Sequence, residues 1–86
     1  MTIPKDVKIG GHQYEVVFEK LDVDQCGDTD RRTGKIRINK DLLVSEKEET
    51  FLHEVLHVIN GELEEEQVEF LAQALYAFLK DNDMVK

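Results

Sequence analysis

Ser45-Glu46-Lys47-Glu48-Glu49-Thr50-Phe51-Leu52-His53-Glu54-Val55-Leu56-His57-Val58-Ile59-Asn60-Gly61 decides how this 86-residue chain is read. Ser45 followed three residues later by Glu48 has the form of a capping box, in which each side chain accepts the other residue's backbone N–H. Gly61 supplies the stop, because glycine just past a helix adopts the left-handed conformation without a Cβ penalty. Between these signals Phe51, Leu52, Val55, Leu56, Val58 and Ile59 form an apolar stripe too wide for a helix with one dry face. The segment is therefore expected to be a helix lying between two layers.

Inside that helix, His53-Glu54-Val55-Leu56-His57 fits the pattern H-E-x-x-H. Residues i and i+4 stand one turn apart on the same face, so two imidazoles can bind one Zn²⁺ while the glutamate between them reaches water at the metal. Shuffling this composition produces the pattern with a probability of roughly 0.9%. His53 and His57 are the candidate metal ligands and Glu54 is the candidate general base.

A zinc hydrolase needs a third protein ligand and an open fourth position. The extended form with a third histidine is not met, since position 60 is Asn and position 63 is Leu. His12, the remaining histidine, reads as a surface strand residue. The third ligand is then expected among Glu62, Glu64, Glu65, Glu66 and Glu69, just beyond the turn. Between the two histidines the metal would sit about six residues, or ~9 Å of helix, before Gly61, so an antiparallel return helix regains that height about six residues after the turn. That arithmetic favours Glu66, with Glu65 and Glu69 as alternatives. Choosing Glu66 also leaves Val68, Leu71, Ala72 and Leu75 on the opposite side, free to pack. The rest of the acidic run is a first helical turn favoured by the helix dipole.

Working outward, residues 63–80 read as a second helix with Val68, Leu71, Ala72, Leu75 and Leu79 as its stripe, and residues 81–86 as a frayed tail. The first half reads as strands. Val7 and Ile9, the Gly10-Gly11 turn signal, then Tyr14, Val16 and Phe18 at period two make a β-hairpin. Residues 26–30, the turn Arg31-Arg32-Thr33-Gly34 and residues 35–39 make a second, with Ile36 and Ile38 on one face. The expectation is an α+β fold: a small, mainly antiparallel sheet of three or four strands, packed on the H-E-x-x-H helix and a C-terminal antiparallel helix.

Length allows one domain, residues 1–86, with a thin core that a bound metal would help to hold. The charge is regional. Residues 1–45 carry 8 basic and 8 acidic side chains, whereas residues 46–86 carry 3 and 11. Such a half repels nucleic-acid phosphates and anionic lipid, so neither nucleic acid nor membrane is an expected partner. Cys26, the single cysteine, excludes an internal disulfide and suits a reducing cytoplasm. No apolar run of signal-peptide or membrane-spanning length is present, so a cytoplasmic monomer is expected.

Residues 49–57 followed by Glu65-Glu66-Gln67-Val68-Glu69-Phe70-Leu71-Ala72 resemble the gluzincin kind of zincin metallopeptidase. The match is to minigluzincins and to the small ImmA/IrrE-like peptidases of phages and mobile elements. Ile3-Pro4-Lys5, Val7-Lys8-Ile9-Gly10-Gly11, Gly27-Asp28-Thr29-Asp30 and Gly34-Lys35-Ile36-Arg37-Ile38 are also similar to phage-encoded proteins of this type. The resemblance implies a minimal zincin fold, with His53, His57 and a downstream glutamate as Zn²⁺ ligands and Glu54 as general base. It further implies an edge strand that pairs with an extended peptide, for which residues 26–30 are preferred over 35–39. A bacterial cytoplasm is the implied setting if the chain is phage-encoded. The departures are a short gap from His57 to Glu66 and the lack of a following Tyr or His to stabilise an oxyanion. The alternative is a non-catalytic, zinc-stabilised interaction module with Cys26 as fourth ligand.

Overall fold

The computed structural model describes residues 1–85. Four strands, β1 (Asp6–Ile9), β2 (His12–Glu19), β3 (Gly27–Asp30) and β4 (Lys35–Asn39), precede two helices, α1 (Val44–Ile59) and α2 (Glu65–Asp81). The α+β class follows the sequence pattern, and the sheet is mixed. Its order is β1-β2-β4-β3. Both hairpins are antiparallel, but the two central strands β2 and β4 run parallel, with Val16 beside Ile36 and Phe18 beside Ile38. The parallel pair arises because residues 20–26 carry the chain past β4's place to the far edge. There β3 descends, and β4 returns between β3 and β2.

Gly10 and Gly11 both have positive φ, at 59° and 84°, which is the backbone that a two-residue hairpin matching the strand twist requires. Alternation then sends Tyr14 and Val16 of β2 and Ile36 and Ile38 of β4 to one face, where Phe51 of α1 meets them. Ile36 and Ile38 are fully buried, as the interior strand of a sheet covered by one helix demands. Phe18 instead stays 44% exposed, with the Lys47 ammonium over its ring.

Helix α1 touches β1, β3 and β4 on one side and α2 on the other, so it lies between layers as its wide stripe predicts. It starts at Val44, ahead of the expected Ser45 cap, with the Leu43 N–H donating to the Glu46 carboxylate at 3.0 Å. Glu48 is thereby released from capping and is buried, where it accepts from the Tyr76 hydroxyl at 2.6 Å and faces the Met1 amino group at 2.7 Å. A buried carboxylate needs such partners, and none was visible in the local pattern.

Gly61 is not left-handed, and the helix is capped by Asn60 in an extended conformation. What Gly61 provides is room: a Cβ there would lie 2.6 Å from Nη2 of Arg31. Helix α2 starts two residues later than expected and packs on α1 alone. Against a single neighbour only the narrow row Val68, Ala72 and Tyr76 is buried, while Leu71 and Leu75 of the expected stripe remain 41% and 39% exposed. The tail folds back instead of fraying. The Met84 N–H reaches the Leu79 carbonyl at 2.8 Å and Val85 is buried, whereas Lys86 lies outside the described residues. Among the described residues no helix is long and apolar enough to cross a membrane.

Candidate metal centre

The helical pitch of α1 sets His53 and His57 on its α2-facing side, with Nε2 atoms 3.1 Å apart and ring centroids at 4.8 Å. Glu65, the first residue of α2, closes the group. Its Oε1 lies 2.6 Å from Nε2 of His53 and its Oε2 lies 2.9 Å from Nε2 of His57. One potential ligand atom from each of the three residues falls within a sphere of contacts no longer than 4.8 Å. The rings are half-buried and the carboxylate is more open, so the group lies at the floor of a solvent-reachable cleft.

The carboxylate brought to the histidines is therefore Glu65 and not Glu66. Two physical points separate the structure from the arithmetic. Residues 61–63 form a turn closed by the Leu63 N–H on the Asn60 carbonyl at 3.3 Å, and Glu64 is extended at ψ 153°, so the helical rise of about 1.5 Å per residue does not apply across the connection. The core face and the ligand face of α2 also coincide, because both address α1. Glu65, Val68, Ala72 and Tyr76 form one row at helical spacing. Glu66 is exposed beside that row, and Glu69 lines the cleft without joining the group. His12 is exposed at the start of β2 and takes no part.

Glu54 borders the same cleft as the two histidines, on the side of it that faces β3, and is 6% exposed. Its Oε1 accepts a 2.7 Å hydrogen bond from the Thr29 hydroxyl. Burial pushes the Glu54 carboxyl above its ordinary value, and the Thr29 bond and the two neighbouring histidines pull it partly back. A carboxylate made more basic and fixed in orientation is suited to accepting a proton. Thr29 carries no signal in the pattern around Glu54, since it lies 25 residues away and is delivered by the sheet. Arg31 is likewise unforeseen: its guanidinium donates to the His57 carbonyl at 2.6 Å, at the end of α1.

Two imidazoles and a carboxylate are three donors that could hold a metal ion, a set that resembles the ligands of catalytic zinc sites more than those of closed structural ones. A tetrahedral ion with bonds near 2.05 Å has ligand atoms about 3.3 Å apart. The Nε2 pair at 3.1 Å is close to that edge and the Glu65 oxygens, at 2.6 and 2.9 Å, lie inside it, so the donor chemistry fits Zn²⁺ with the carboxylate drawn back by a few tenths of an ångström. Cys26 is exposed and lines the same cleft, but its sulfur is not in the ligand group. Comparison of the chain with protein-family models, with curated proteins and with solved structures gives no match.

Proposed function

We propose that the chain is a zinc-dependent metalloendopeptidase acting slowly or narrowly on an extended peptide segment. The observation that carries this reading is the convergence of His53, His57 and Glu65 beside a buried Glu54 that is held by Thr29. His53, His57 and Glu65 would hold the ion. When bound, Zn²⁺ supplies Lewis acidity to a carbonyl oxygen and to water in the open position.

The chain's own residues do the rest. Strand β3 is an edge strand, paired with β4 on one side only, so its outer backbone groups can add a substrate strand and hold the scissile bond over the cleft. Glu54 takes the proton from attacking water and returns it to the departing amine. Thr29 keeps that carboxylate aimed. A domain this small walls off no deep pocket, which favours narrow specificity over broad digestion.

The test is cleavage of a mixed peptide library by the zinc-loaded protein, read by mass spectrometry, with chelated protein as control. Cleavage that requires the metal supports the proposal. A fully loaded protein that cleaves nothing across varied lengths and sequences overturns it and leaves a zinc-stabilised interaction module as the better reading.

A further inference from the structure

The cleft over the metal group has two ends, which share Gly27, Glu54 and Glu65. One end is bordered by Asp24, Glu49 and Glu69, the other by Thr29, Arg31, His57 and Gly61. Asp28 also borders the second end, but its carboxylate is committed to the Arg37 guanidinium. Carboxylates therefore border the cleft at one end, and the Arg31 guanidinium stands at the other.

Arg31 is the cation, and it is fixed at two points. Its Nη2 donates to the His57 carbonyl at 2.6 Å, and its guanidinium passes so close to Gly61 that a Cβ there would lie 2.6 Å from Nη2 and 3.2 Å from Nη1. The side chain is exposed, and among the described residues no carboxylate pairs with it. Among the described residues Arg37 is the one lysine or arginine with a carboxylate partner, so what distinguishes Arg31 is its place at the cleft and its anchor on the His57 carbonyl. One N–H satisfies the end of α1, and the remaining donors of the planar fork are free for a planar acceptor.

Resting on the peptidase reading, we propose that Arg31 is a specificity-determining residue that binds a carboxylate of the substrate next to the scissile bond. The direction follows from β3, which runs from Gly27 toward Arg31. A peptide added antiparallel, the more stable pairing per residue, passes Arg31 with the part N-terminal to the scissile bond. An acidic side chain there meets the guanidinium, while the far part of the peptide crosses the acidic end. A parallel peptide would instead bring its C-terminal part, including a chain-terminal carboxylate, to Arg31.

The test measures binding in the zinc-loaded Glu54→Gln protein, so that no peptide is consumed. The probes are fluorescent ten-residue peptides carrying a single Glu or Gln at successive positions, each with a free or an amidated C-terminus. One Glu position is expected to bind about tenfold tighter than its Gln counterpart. Adding Arg31→Gln should erase that gap while leaving the Gln peptide's affinity within about twofold, and Arg31→Glu should turn the preference toward Lys at the same position. A purely structural role at the end of α1 predicts equal losses for all peptides. A gap that follows amidation rather than the Glu position assigns the carboxylate to the chain terminus and still supports Arg31. Equal affinity for all peptides, or a preference that survives Arg31→Gln, overturns the assignment while leaving the peptide cleft. Failure of every peptide to bind overturns the peptidase reading with it.

Discussion

The Thr29 hydroxyl donates to Oε1 of Glu54 at 2.7 Å, tying the edge strand to the H-E-x-x-H helix at the buried carboxylate beside the two histidines. Because Glu54 is 6% exposed, loss of this donor leaves a buried oxygen short of a partner. Thr29→Val should destabilise the fold by about 1–3 kcal/mol in urea denaturation. In a double-mutant cycle with Glu54→Ala the two changes should be non-additive by more than about 0.5 kcal/mol, since each removes the same bond. Additive effects would show that the bond contributes nothing to stability.

Zinc affinity should separate the three glutamates at the start of α2. Glu65→Ala removes the carboxylate that spans both histidines and should weaken Zn²⁺ binding by more than about 100-fold, whereas Glu66→Ala and Glu69→Ala should stay within about threefold. Competition titration against a chromophoric chelator measures all three. A large loss in the Glu66 variant instead would restore the assignment that helix arithmetic favours.

That contrast shows where the sequence is legible. His53, Glu54 and His57 could be placed because their relation is internal to one helix, and the pitch of an α-helix is the same in every protein. Glu65 could not be separated from Glu66, because the choice depends on the path of the turn between the helices. Thr29 and Arg31 reach α1 through sheet pairing, and no local pattern encodes contacts across 25 or 26 residues. The hairpins were readable from Gly10-Gly11 and from alternation. The parallel β2–β4 pair was not, since it depends on where residues 20–26 carry the chain.

Glu48 gives a pH prediction. Burial opposes its ionisation, but the Met1 amino group and the Tyr76 hydroxyl outweigh burial and hold the carboxyl below its ordinary value of 4.5. A depressed folded value means the stabilisation is present above pH 4.5 and is lost as pH falls through the folded value. Glu48→Gln should therefore flatten the loss of stability below about pH 4.5, measured as the urea midpoint against pH. Tyr76 behaves in the opposite sense. Burial first, and then Glu48, push its hydroxyl up to about 12, so its share is present below pH 10 and lost as pH rises toward 12. Tyr76→Phe should remove that alkaline step. An unchanged acid or alkaline limb in the respective variant would dissociate the pair from stability.

Catalysis is separated from metal binding at Glu54, which neighbours a ligand in sequence yet turns its carboxylate toward β3. Glu54→Gln keeps the side chain's shape and can still accept a hydrogen bond from Thr29, but it cannot take a proton from water. Zinc content and the thermal midpoint should therefore stay close to wild type. Peptide turnover should fall by roughly 10²–10⁴-fold, with kcat carrying the loss, because the interaction removed exists only while the proton moves. If Glu54 served only to anchor β3 on α1, the retained bond to Thr29 would leave both stability and turnover per folded molecule unchanged. Measuring kcat together with the urea midpoint on the same preparation distinguishes the two outcomes, and equal turnover in both proteins would remove Glu54 from the chemistry.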